Sequence, residues 1–233
     1  MTYGTLRADC VVETIDRLAL RIGARFPGGG LESVCRALAE AARRCAAEAE
    51  RLNRPQRLLR AGVYTVWALG GVAFLWVLTT LHYDDVRLEA ASLIPVLEPA
   101  MNIAVLVGIG VLSLGRLEQN WKRSRALGYL HELRSIAHVV DMHQLTKDPA
   151  RSVPNAIAPT AHSPKDPLPP ALLERYLDYC SEMLSLTGKL AALFAQSCRD
   201  AEVADAASDV EALTTGLSQK IWQKMTLLER LSS

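Results

Sequence analysis

Apolar positions along this chain follow two patterns. Over Ala61–Leu81 they run without any Asp, Glu, Lys or Arg, and over Ala90–Leu114 they run with Glu98 as the one charged residue. At about 1.5 Å per residue, a helix over the first run is roughly 31 Å long, close to the hydrocarbon thickness of a bilayer. The stretch between the runs, HYDDVRLE at His82–Glu89, is polar. The pattern predicts a transmembrane hairpin over 61–114, with spans at 61–81 and 90–114. The competing reading is two buried helices in a soluble bundle, which requires long helices without a solvated side.

Elsewhere the apolar residues recur at helical spacing. Leu31, Cys35, Leu38, Ala42, Cys45, Ala49 and Leu52 alternate steps of four and three, a heptad seam that predicts a helix over 31–53. Arg36, Glu40, Arg44 and Glu48 are assigned to its solvated face, and Pro55 interrupts the chain before the first apolar run. A shorter helix is expected over 9–22. Phe26-Pro27-Gly28-Gly29-Gly30 then breaks the chain; with no Lys-Ser/Thr following, it reads as a joint and not a phosphate loop.

A long helix over 115–147 is expected to continue out of the second run, with Trp121, Leu127, Leu130, Leu133, Ala137 and Val140 on one stripe. From 148 to 170 lie Pro149, Pro154, Pro159, Pro164, Pro167, Pro169 and Pro170, out of 11 prolines in the chain, and this predicts an extended, poorly ordered linker. Residues 171–233 read as a helical hairpin. Leu173, Leu177, Cys180, Leu184, Leu190, Phe194 and Cys198 mark its first helix; Val210, Leu213, Leu217, Ile221, Met225 and Leu228 mark its second, which starts at either Asp200 or Ser208. The predicted fold class is all-α: N-terminal helices over 1–60, the two-span hairpin, and cytoplasmic helices that form a bundle.

Charge orients the hairpin. Arg43, Arg44, Arg51, Arg54, Arg57 and Arg60 precede it, and Arg116, Lys122, Arg123 and Arg125 follow it. The loop holds only Arg87 against Asp84, Asp85 and Glu89. Cations stay on the cytoplasmic side, so both termini are expected there. Tyr64, Trp76 and Tyr83 suit the two interfaces. The first run starts too far along the chain, and is too long, for a cleaved signal peptide. With 26 Lys+Arg against 25 Asp+Glu, the balance gives no reason to expect nucleic acid, and lipid headgroups are the expected partners of the clustered cations. Cys35, Cys45, Cys180 and Cys198 fall on apolar stripes and read as core residues; neither they nor Cys10 form a CxxC pair.

Four sets of residues are candidates for function. Glu98 and Asn102 lie one turn apart and would line an oligomeric pore or bond between helices, unless Pro95 and Pro99 leave Glu98 at the interface. Gly70, Gly71, Gly108 and Gly110 offer close helix packing. His131, Arg134, His138 and Asp141 form one helical stripe: an ion-paired face against another helix, an anion site, or a metal site that Arg134 would oppose. No nucleophile–base pair, phosphate loop or paired carboxylates point to an enzyme, and no cofactor or metal is called for.

The order of parts over 31–146, a cytoplasmic helix, a two-span hairpin and further helices, resembles the SLATT-type two-transmembrane proteins of bacteria. These are regarded as pore-forming effectors in nucleotide-signalled defence. HELRSIAHVVDMHQLTKDP at His131–Pro149 and LTTGLSQKIWQK at Leu213–Lys224 resemble parts of an uncharacterised bacterial membrane-protein family. The first resemblance implies a homo-oligomeric, multi-pass inner-membrane protein, channel-like and gated by its cytoplasmic helices under a nucleotide signal. The alternative is a membrane-anchored scaffold recruiting a cytoplasmic protein partner through the C-terminal hairpin.

Overall fold

A computed structural model describes residues 5–53, 57–80, 90–152, 160–162 and 168–232, with side chains described except at 53, 57–60, 63, 73, 74, 77, 78, 80, 90–100, 103, 111, 114 and 232. Among the described residues the chain is all-α: α1 Ala8–Arg25, α2 Gly30–Asn53, α3 Arg57–Thr80, α4 Ala90–Leu145, α5 Pro170–Ser197 and α6 Ala201–Ser232, with a 3₁₀ turn at Pro149–Arg151. The chain divides into two compact units. The first comprises 1–53 and 123–233, and the second 54–122.

The first unit is a helical bundle. Every residue of the α2 seam is buried, from Leu31 to Leu52. The small side chains Ala39, Ala42 and Cys45 let neighbouring helices approach. The seam of α4 within this unit is Ala126, Leu130, Leu133, Ala137 and Val140, again at steps of four and three, and buried Gln144 continues it. Leu127 of the expected stripe is half-buried, and Trp121, in the second unit, remains exposed. Core packing closes over Phe194 of α5, which stacks on Tyr129 of α4 with ring centroids 5.6 Å apart.

Local chemistry sets the joints. Between α1 and α2, Gly28 takes φ +70°, a left-handed conformation natural to glycine, and its N–H donates to Glu32 Oε2 at 2.7 Å. Phe26 anchors this joint edge-on against Tyr176 and Tyr179. Between α5 and α6 the chain turns within Cys198-Arg199-Asp200. Asp200 then caps α6, its Oδ1 accepting from the amides of Glu202 and Val203 at 3.1 and 3.3 Å. The second helix of the hairpin thus starts at Asp200's cap and not at Ser208.

At the end of α4, Lys224 of α6 donates to the carbonyls of Gln144 and Lys147 at 2.8 and 3.2 Å. The Gln144 carbonyl also accepts the Lys147 N–H at 3.1 Å, and a cation at this end of the helix suits its dipole. Burial pushes the Lys224 ammonium below its usual range, against the opposing pull of Asp141 and Asp148. The proline-rich stretch opens with the 3₁₀ turn, where Asp148 accepts from the Ala150 N–H at 3.0 Å and Pro149 is buried. Most of the expected linker, 153–159 and 163–167, lies outside the described residues.

One assignment is corrected by the bundle. Glu48 belongs not to the solvated face of α2 but to its buried side, at 2% exposure. It sits beside the seam between Cys45 and Leu52, where α4 covers it.

The second unit holds α3 and the first part of α4. Helix α4 continues through Pro95 and Pro99 without a break in its assignment. Among the described residues no helix is long and apolar enough to cross a membrane. Val63, Ala73, Phe74, Val77 and Leu78, apolar members of the first run, have side chains outside the described set. The loop over 82–89, with Tyr83, also lies outside it.

Candidate functional site

On α4 the stripe His131, Arg134, His138 and Asp141 lies at the bundle surface. His131, Arg134 and His138 are exposed, and Asp141 is half-buried. Arg134 Nη2 pairs with Asp209 of α6 at 3.6 Å. Asp141 Oδ1 accepts from Gln144 Nε2 at 2.6 Å, on its own helix. A cavity of about 170 Å³ between α4 and α6 brings together His131, Arg134 and Asp209 over the apolar floor of Leu127, Leu130 and Val210. His138 and Asp141 do not line it. Asp209 already faces Arg134, so an anion entering there would meet a carboxylate. Among the described residues no three His, Cys, Asp or Glu side chains gather to hold a metal ion. Of the stripe, Arg134 reaches across to α6 and Asp141 bonds within its own helix.

In the second unit, Gly70 of α3 faces α4: a Cβ there would lie 3.6 Å from Val107 Cγ2, ordinary contact distance. Among the described residues, a Cβ at Gly71, Gly108 or Gly110 would meet nothing within 4 Å. Of the four glycines, then, Gly70 is the one placed against the facing helix among the described residues. Asn102 is exposed on α4. Glu98 lies one turn earlier on that helix, its side chain outside the described residues.

Two further polar contacts engage arginines that the sequence marks only by their place beside the second apolar run. Arg125 Nε donates to Glu48 Oε1 at 2.8 Å, and Arg51 approaches the other Glu48 oxygen at 3.8 Å. Arg123 Nε and Nη2 reach Asp200 Oδ2 at 3.0 and 2.9 Å, while its Nη1 reaches Glu202 at 3.0 Å. The side chains of Glu48 and Asp200 are each only 3% exposed. Burial pushes the Asp200 carboxyl up, but the Arg123 guanidinium and the two amides outweigh it and hold the group below the usual carboxylate range. The partners are 77 residues apart in each case, and nothing local to either residue marks the pairing.

Two further concavities lie on the bundle. A groove of about 740 Å³ runs between α1, α2 and α5, floored by Val12, Ala47 and Leu193 and edged by the Asp16–Arg43 pair at 2.9 Å. A smaller one, of about 360 Å³, is lined by the hydroxyls of Ser181, Ser185, Thr214, Thr215 and Ser218. No protein-family model, curated protein or solved structure matches the chain.

Proposed function

We propose that the chain is an oligomeric membrane protein, with α3 and the first part of α4 as its two bilayer-crossing helices and the bundle as its cytoplasmic part. One observation carries this reading. Tyr64, Val66, Trp67, Leu69, Val72, Leu75 and Trp76 of α3 are all exposed. At about 100° per residue these positions spread round the whole circumference of the helix. Met101, Val105, Leu106, Ile109 and Leu112 of α4 are exposed as well. Keeping one such side chain in water forgoes about 1.5–3 kcal/mol of burial, and a helix apolar on all sides belongs in a core or a bilayer. The cation distribution supports cytoplasmic termini.

Asn102 supports self-association. An exposed amide amid Met101, Val105 and Leu106 has no water to bond in hydrocarbon, and a second copy presenting its own Asn102 would satisfy it. A ring of Glu98 and Asn102 side chains would then face inward, which favours a channel-like assembly. Fractionation with reporter fusions at Asp85 and at the C-terminus should place the two sites in opposite compartments; a shared compartment would sink the hairpin. Flux from liposomes holding wild-type or Glu98→Gln protein, with and without nucleotides, tests the pore. A selectivity change with Glu98→Gln supports it, and wild-type liposomes that stay tight throughout leave a membrane-anchored scaffold as the function.

A further inference from the structure

Arg123 and Arg125 stand at the first turn of α4 within the bundle, and each meets a carboxylate withdrawn from water. We propose that they form a clasp that couples the apolar part of α4 to the ends of two bundle helices. The proposal rests on the membrane reading, in which that part of α4 lies in the bilayer.

The geometry gives each arginine a different hold. Glu48 lies in the last turns of α2, the helix that leads into the first apolar run. Arg125 lies on the helix that leads out of the second. Their 2.8 Å hydrogen bond therefore ties together the two chain segments that enter and leave the hairpin. Asp200 is the cap of α6, so Arg123 is fixed to the group on which the first turn of α6 is built. Two residues apart on a helix means about 200° of rotation, so the arginines grip nearly opposite sides of α4. Turning the helix either way strains one of them.

Neither pair is free to open at little cost. A buried carboxylate stripped of its cation is strongly destabilising, because the charge remains desolvated and uncompensated. The surface pairs Arg7–Asp9 and Arg17–Glu13 can separate into water with little change. Helix α4 therefore cannot slide or turn at 123–125 unless the ends of α2 and α6 move with it, or the two carboxylates take up water.

The test uses the full chain in lipid nanodiscs and the neutral pair Glu48→Gln/Arg125→Gln, which leaves no charge buried alone. Amide exchange should rise about tenfold over 48–53 and 123–130 and stay at the wild-type level through Leu184–Phe194 of α5. A nitroxide at Asn102→Cys, with the exposed Cys10 changed to Ser, should become more mobile in the same variant. Unchanged exchange, or a rise shared equally by α5, would overturn the clasp. A local rise with an unmoved nitroxide would overturn the coupling. Wild-type protein that does not enter nanodiscs would fail the membrane reading and the coupling with it, while the exchange pattern in detergent would still decide whether the clasp exists.

Discussion

A Cβ placed on Gly188 of α5 would stand 2.9 Å from Thr214 Oγ1 of α6, closer than side chains tolerate. The Thr214 hydroxyl donates to the Glu211 carbonyl at 3.0 Å, and Gly188 and Thr214 are both buried, so the hydroxyl moves only by giving up that bond. Gly188→Ala should therefore destabilise the bundle by about 1–3 kcal/mol, despite alanine's better helix propensity. Chemical denaturation of the full chain in detergent would measure this. Gly188→Ala/Thr214→Ala should recover most of the loss, since the second change removes the obstructing oxygen. A double variant no better than the single would refute close approach as the cause.

Asp200 gives the bundle an acid-sensitive joint. Its carboxyl is held below the usual range in the fold and returns to about 3.9 on unfolding. A depressed folded value contributes stability that is fully present above the unfolded pKa and is lost as pH falls through the folded one. Asp200→Asn keeps the cap but not the charge, so it should lower Tm at pH 7. The gap from wild type should narrow as pH drops below about 4. A gap that stays constant down to the acid limit would mean that the Arg123 pair contributes nothing through ionisation.

The thiols divide sharply. Cys10 is exposed, whereas Cys35, Cys45, Cys180 and Cys198 are buried. Burial pushes the Cys35, Cys45 and Cys180 thiols up to about 12, so at pH 8 they are neither accessible nor ionised. Native protein treated with iodoacetamide at pH 8 should gain one label by mass spectrometry, at Cys10, and five in denaturant. More than one rapid label under native conditions would show that the seam of α2 or α5 opens readily.

The periodic part of this architecture was legible in the sequence. The α2 seam from Leu31 to Leu52 and the α5 stripe from Leu173 to Cys198 were readable because burial on a helix repeats every three or four residues. Glu48 was misread because its buried position depends on a cation 77 residues away, and only tertiary packing creates that pairing. Arg123 and Arg125 carried a topological signal that concealed their structural partners. The start of α6 was ambiguous because Asp200 and Ser208 are both good caps; the turn at Cys198-Arg199-Asp200 decides between them. Of the α4 stripe, the spacing was readable, but Arg134's partner Asp209 was not.

In an unbroken α-helix each residue advances about 100°, so the azimuth of any side chain fixes that of every other. Within the bundle, Ala126, Leu130, Leu133, Ala137, Val140 and Gln144 therefore share one angular phase on α4. One alanine inserted within 134–136 would swing Ala137, Val140 and Gln144 by about 100° away from the seam that precedes them. This stretch of α4 can accept new side chains on its outer faces, but not a single added residue.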